Sequence, residues 1–464
     1  MNPTSLAAHE IAKAVSQRKI SAVEVATAHL KRMEEVNPKI NAVVETCHQQ
    51  AIADAKSIDN RISKGEKMGA MVGVPLTIKI VTDQQDFVTS FGLRTQEKNK
   101  AKVDSPLVQN FKNADAIIIG RTNSPAFATR WFTDNNLYGQ TLNPTDKNIT
   151  PGGSSGGASA AVAAGICPVA HATDIAGSIR YPAYACGVHG LRPSMGRTPF
   201  NNPSGKERYI GAQLMAVSGP IARTIKDLQI SLQAMSEWTG KDPWQVFHGA
   251  KELNFTKKAA LSIAPDGLNV CDEVVKELYD AADKLRERGW VVDEVECPPI
   301  RKAAEVNAVL WMADMQHGQA KIIETENEPN SKFVFEQMSE ITGQIDFQTL
   351  MDALQLRLEL MRNWDQFFQN YSSLICPVSA QLPFNQQADI ASPGSFREVY
   401  EAQLTQRALP VINIPSLTIA TGFAKGRPIG VQFAGPRFRE DIILEAAFDL
   451  EKNIPKIEIC TPTW

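Results

Sequence analysis

Positive charge is not concentrated anywhere in this chain. Its 464 residues hold 48 lysines and arginines against 51 aspartates and glutamates, a formal net charge of −3. There is no long basic run and no acidic tail. Nucleic acid and anionic lipid, which need clustered cations, are therefore not expected partners. Long hydrophobic runs are missing too. The most apolar one, Ala158–Ala170, is too short to span a bilayer and contains Gly165 and Pro168. The N-terminus is charged throughout and lacks the basic-then-apolar order of a secretory signal, so the cytoplasm is the expected location. Cysteine is sparse: seven residues, scattered, with no C-x-x-C pair. That argues against a disulfide framework or a structural zinc site, and no metal or cofactor is expected.

What remains is an ordinary globular composition, 43% hydrophobic and 21% charged. Helices are expected over residues 5–35, with Ser5 as an N-cap of the first and Ser21 with Glu24 as a capping box for the second. A charged helix is expected at Ala51–Lys67. Gly73–Val81 and Ala114–Asn123 read as buried strands, rich in β-branched residues. Cys167–Ala183 reads as a strand breaking into a glycine-containing turn. Later, Ala260–Pro265, Asp272–Gly289 and Trp290–Glu296 read as a strand–helix–strand unit, with Val275, Leu278, Ala281, Ala282 and Leu285 on the apolar face of the helix. Residues 302–372 are mainly helical in pattern. Three further strand patterns and a final helix follow. Alternating apolar strands and helices predict an α/β fold with a sheet covered on both faces.

The segment "TPGGSSGGASAAVAAG", Thr150 to Gly165, carries the most information. A flexible linker would continue as Gly/Ser, but this one runs into an alanine-rich stretch of high helix propensity. A phosphate loop needs a lysine at its end, and none occurs between Asn148 and Gly190. Anion binding at the helix start survives only as an alternative. A catalytic site needs a nucleophile, a base and an oxyanion site. Ser178, in "DIAGSIR", is a candidate nucleophile beside Gly177, in a turn whose N–H groups could converge. It requires a base. His171 and His189 are nearby in sequence, but their spacing settles nothing. Lys79 lies in an apolar strand, where burial would lower its pKa and make it a usable base. The commoner place for such a lysine is an edge strand with the amine in solvent.

These motifs resemble the amidase signature family. The family pattern is a Gly-Gly-Ser-Ser-Gly-Gly segment followed, at the spacing seen here, by Asp-x-Gly-Gly-Ser-Ile-Arg-x-Pro-Ala. This chain has "GGSSGG" and then "DIAGSIRYPA". "GVPLTIKI", "GRTNSPAF" and both chain ends resemble the family as well, most weakly across about 300–370. The resemblance implies an α/β fold with a large mixed central β-sheet covered by helices on both faces. It implies a single domain over 1–464, with 1–67 a helical segment packed on the core. It implies a serine amidohydrolase with Ser178 as acyl-forming nucleophile, Ser154 as bridging serine after a cis peptide bond, and Lys79 as base. The N–H groups of Ile175, Ala176, Gly177 and Ser178 would form the oxyanion hole.

Two positions depart from the family pattern. Ala176-Gly177 stands in place of Gly-Gly, which keeps the N–H if φ at 176 is negative. Lys79-Ile80 stands in place of Lys-Asp, which removes a polar support and leaves a drier site. Ser155 and Trp131 are candidate substrate-binding residues, with Phe132 beside them. Asp174 and Arg180 are expected to hold the turn. The aromatics of Asn363–Tyr371 are expected in the core. The expected partner is a small-molecule amide, with ester, anilide or carbamate as other acyl donors, and a homodimer is compatible. Alternatives are a glutamine-hydrolysing amidotransferase subunit working beside a second protein, and a catalytically idle binding relative.

Overall fold

The computed structural model describes residues 2–247 and 254–464. Eleven strands among these residues join one sheet. They are β1 (Val43–Thr46), β2 (Pro75–Lys79), β3 (Ile117–Thr122), β4 (Val169–Asp174), β5 (His189–Arg192), β6 (Val217–Ala222), β7 (Lys258–Leu261), β8 (Val291–Glu294), β9 (Ser373–Pro377), β10 (Ser416–Ala424) and β11 (Arg427–Ala434). Their order is β1-β3-β2-β4-β6-β5-β10-β11-β9-β7-β8. The sheet is mixed. β2 runs parallel to β3 and β4, and β7 parallel to β8 and β9, while β4/β6, β5/β6, β5/β10 and β10/β11 are antiparallel. Every residue of β2, β3 and β4 is buried. Strands buried on both faces need continuous apolar runs rather than alternation, which is how they read in the sequence.

The expected helices form with shifted ends. The capping box holds: Ser21 Oγ accepts from Glu24 N at 3.1 Å, and Ser21 N donates to Glu24 Oε2 at 2.8 Å. Ser5 is not an N-cap. Its hydroxyl donates to Asn2 O at 2.9 Å within a short 3-10 turn, and the first helix spans Ala8–Ser16. The segment 1–67 is not wholly helical, because β1 lies within it and pairs antiparallel with β3. The helix Asp272–Arg286 buries Val274 rather than Val275, alongside Leu278, Ala281, Ala282 and Leu285. The helical region after residue 300 contains Arg301–Asp314, a π turn at Met315–Gln319, then Ala320–Glu326, Pro329–Thr342 and Phe347–Phe367. Trp364 is fully buried and packs on Phe367 and Phe368, each 5.8 Å away between ring centroids. No helix among the described residues is long and apolar enough to cross a membrane.

Candidate active site

Three chain segments meet at the C-terminal end of β2. Lys79 is the last residue of that strand. Beside it runs β4, which ends at Asp174 and turns through residues 175–179 into the helix Arg180–Cys186. The glycine–serine segment leads into the helix Gly156–Ala163, every residue of which is buried. The segment is not a spacer. A Cβ on Gly157 would stand 2.5 Å from Asn123 N, and one on Gly153 would stand 2.5 Å from Phe132 N. Backbone packs against backbone there, which only glycine allows. The Gly153–Ser154 peptide bond is cis.

Lys79 is buried in the interior, not on an edge strand. Its Nζ hydrogen-bonds three hydroxyls: Ser154 Oγ at 2.7 Å, Ser155 Oγ at 2.9 Å and Thr173 Oγ1 at 3.0 Å. Burial disfavours the ammonium and the charge of Asp174 only partly restores it, so the pKa falls to about 7. Ile80 next to it is also buried, so hydroxyls rather than a carboxylate support the amine. Thr173 was not singled out from the sequence. Its place directly before Asp174, at the end of an apolar strand pattern, is the signal available.

Asp174 organises the turn. Its carboxylate accepts from Arg180 Nε and Nη2, both at 3.0 Å, from Gly177 N at 2.8 Å and from Ile179 N at 3.1 Å. Burial alone would raise its pKa, but the charge and hydrogen bonds of Arg180, then Arg192 and the Gly177 N–H, hold it below the usual carboxylate value. The Gly177 N–H is thus engaged, while those of Ile175, Ala176 and Ser178 donate to no group among the described residues. Ala176 is not among the residues with positive φ, whereas Gly177 sits at φ +103° with its Cα against Gln406.

A cavity of about 630 Å³ opens over this turn, lined by Ser154, Ser178, Thr173 and Ile175. Phe91, Phe127, Phe200, Trp311 and Ile322 give it apolar walls, and Asp83, Arg208 and Asp314 give it polar ones. Ser155 and Trp131 do not line it. The Ser155 hydroxyl is turned to Lys79 and to Thr173 O, the latter at 3.3 Å. Trp131 is buried, tilts against Tyr400 and donates its indole N–H to Ala176 O at 2.8 Å. Phe132 is buried under Arg130, away from the cavity lining. His171 is buried within β4; it accepts from Lys79 N at 3.4 Å, and burial with the nearby Lys79 and Arg121 charges lowers its pKa to about 3. His189 is likewise lowered to about 3 by burial.

A buried lysine ringed by hydroxyls, two of which line a cavity at the ends of parallel strands, stands where ligands bind in α/β folds. The chain belongs to the amidase family, whose model matches residues 24–444, and it is a hydrolase acting on amide C–N bonds. It is 37% identical over 450 residues to an indoleacetamide hydrolase from Bradyrhizobium diazoefficiens, covering 96% of this chain and 86% of that protein. It is 32% identical to an acylamidase from Rhodococcus erythropolis, covering 97% and 96%. A crystal structure of a bacterial aryl acylamidase of the amidase signature enzymes superposes with a TM-score of 0.84 at 25% identity, covering 97% and 96%.

Proposed function

We propose that the protein hydrolyses an aryl or arylalkyl carboxamide through an acyl-enzyme on Ser178, with Ser154 and Lys79 completing a proton relay. The observation that carries this reading is the buried Lys79 amine, 2.7 Å from Ser154 Oγ and poised near neutrality at a pKa of about 7. In its neutral form Lys79 needs one hydroxyl to donate to its lone pair. Ser155 donates its hydrogen to Thr173 O, which leaves the hydroxyls of Ser154 and Thr173, and Ser154 is the nearer at 2.7 Å against 3.0 Å.

Lys79 then takes a proton from Ser154, which takes one from Ser178. Ser178 Oγ attacks the amide carbon, and backbone N–H groups of the turn hold the oxyanion. As the tetrahedral adduct collapses, the proton returns through Ser154 to the leaving nitrogen, and the amine departs. Water attacks the ester, the relay takes its proton, and the carboxylic acid leaves with Ser178 restored.

The apolar side of the cavity suits an aromatic acyl group, in keeping with the named substrates of the indoleacetamide and aryl acylamide relatives. A panel of indole-3-acetamide, phenylacetamide, an anilide, an ester, a carbamate and glutamine, run on wild type and Ser178→Ala, tests the reading. We expect turnover of an aromatic amide by wild type and none by the variant. Equal turnover by both would sink the nucleophile assignment.

A further inference from the structure

Three successive carbonyls of the turn after β4 are each held by a donor from outside it. Ile175 O accepts from Asn307 Nδ2 at 3.1 Å. Ala176 O accepts from Trp131 Nε1 at 2.8 Å. Gly177 O accepts from Tyr181 N at 2.8 Å. These donors come from separate parts of the chain: the helix Arg301–Asp314, the loop after β3, and the first turn of the helix Arg180–Cys186. In a trans peptide unit the N–H points opposite to the C=O. Holding the carbonyl of residue 175 therefore fixes the direction of the Ala176 N–H. Holding that of 176 fixes the Gly177 N–H, and holding that of 177 fixes the Ser178 N–H.

The middle unit is secured at both ends, since the Gly177 N–H donates to Asp174 Oδ1 at 2.8 Å. The flanking N–H groups, of Ala176 and Ser178, have no partner among the described residues although both residues are buried. The pair faces no acceptor among the described residues, which leaves both N–H groups able to donate to an incoming oxygen. Asn307 carries the same signature of unfinished pairing. It is buried, and its Oδ1 has no partner among the described residues. An apolar side chain there would avoid that cost, whereas Asn307 Nδ2 donates to Ile175 O at 3.1 Å and to Met215 Sδ at 3.3 Å.

We infer that Asn307, by holding the peptide unit that carries the Ala176 N–H, and Trp131, by holding the middle unit between the two flanking ones, are positioning residues for the Ala176 and Ser178 N–H groups that meet the carbonyl oxygen of the substrate. This rests on the acyl-enzyme reading of Ser178 and takes the Gly177 N–H, which Asp174 holds, out of the four N–H groups of its oxyanion site. Neither side chain lines the cavity. Their effect is on the charge that develops at the oxygen, not on ground-state binding.

The test uses the full chain and the fastest amide of the substrate panel, with Asn307→Leu, Trp131→Phe and Ser178→Ala. Trp131→Phe keeps an aromatic ring beside Tyr400 and removes the N–H donor together with part of the ring's volume. Misaiming one oxyanion donor should lower kcat by about tenfold or more. KM should stay within about twofold, the pattern of an interaction made only in the transition state. An aryl boronic acid, which places an oxygen in the same site once bonded to Ser178, should lose affinity in step with kcat. Thermal midpoints should stay close to that of wild type. Wild-type kcat and boronate affinity in both variants, with Ser178→Ala inactive, would overturn this inference alone. So would losses that merely track the folded fraction. Full activity in Ser178→Ala, or no amide turned over by wild type, would overturn the acyl-enzyme reading and this inference with it.

Discussion

Lys79 Nζ lies 2.7 Å from Ser154 Oγ and 2.9 Å from Ser155 Oγ, yet the two serines are not equivalent partners. Ser154 lines the cavity together with Ser178, whereas Ser155 faces the strand and donates to Thr173 O. On the proposed relay, removing Lys79 or Ser154 should therefore cost far more than removing the second serine. Lys79→Ala and Ser154→Ala are each expected to lower kcat by about a thousandfold, in the range of general-base loss. Ser155→Ala should cost about tenfold or less, because it removes support for the amine but leaves the relay. Steady-state kinetics on one amide ranks the three, and equal losses at both serines would contradict the separation of roles.

The rate should rise with pH through about 7. In the proposed relay Lys79 takes a proton only when neutral, and burial lowers its pKa to about 7. Below that value the ammonium form dominates, so log kcat/KM should climb with unit slope and level off above it. Histidine is not the source, since burial holds both His171 and His189 at about 3. The competing group is Asp314 in the cavity wall, raised to about 6 by burial against the pull of the Gly211 and Ala212 N–H groups. The Asp314→Asn variant should keep the rise near 7. The same shift has a stability sign. Lys79 binds its proton less readily folded than unfolded, so the stability of wild type relative to Lys79→Met should grow between pH 7 and the ordinary lysine value of 10.5.

How far this was legible in the sequence depends on what kind of pattern each feature leaves. β2, β3 and β4 showed as apolar runs because strands buried on both faces need them. The capping box at Ser21 showed because its two residues sit three apart. Lys79 showed as an anomaly, but its burial did not: an edge strand and a central strand carry the same residues, and only the pairing of β2 between β3 and β4 decides between them. Thr173 and Asn307 left almost no trace. Thr173 matters through a cross-strand contact to Lys79, and Asn307 reaches Ile175 from far along the chain. Trp131 was noticed for its ring, while the structure uses its indole N–H. Pairings between distant segments have no local periodicity to betray them.

Asp174→Asn should unfold the site rather than merely slow it. The carboxylate is buried, paired bidentately with buried Arg180 and lies 3.5 Å from Arg192 Nε. Neutralising it leaves two buried guanidinium groups facing each other without an anion. Breaking a buried pair from one side costs ~3–5 kcal/mol. The turn loses its carboxylate acceptor for the Gly177 and Ile179 N–H groups at the same time. We expect a large drop in thermal midpoint together with loss of turnover, read by calorimetry and kinetics on the same preparation. A variant of wild-type stability would show that Arg180 is satisfied by Gln432 Oε1 and Gln406 O, its other partners.

Gly157→Ala tests whether the glycines serve close approach. An added Cβ would meet Asn123 N at 2.5 Å and Ala42 O at 2.6 Å, and those two atoms are themselves hydrogen-bonded at 2.9 Å. The obstacle is backbone on both sides, so no side chain can swing away. Relief requires moving the helix Gly156–Ala163, which carries Ser154 and Ser155 at its start, or parting the chain beside β1 and β3. The expected cost is ~1–3 kcal/mol of stability, with a fall in kcat because the serines shift from Lys79. Gly394→Ala supplies the contrast. It lies in the first turn of the helix Pro393–Ala402, where a Cβ would come no nearer than 3.8 Å to the Ser392 hydroxyl. There the loss of unfolded-state freedom should dominate and the change should be neutral or stabilising by ~0.4–1 kcal/mol. Opposite signs at the two positions, read from thermal midpoints, would separate a glycine needed for packing from one that is merely tolerated.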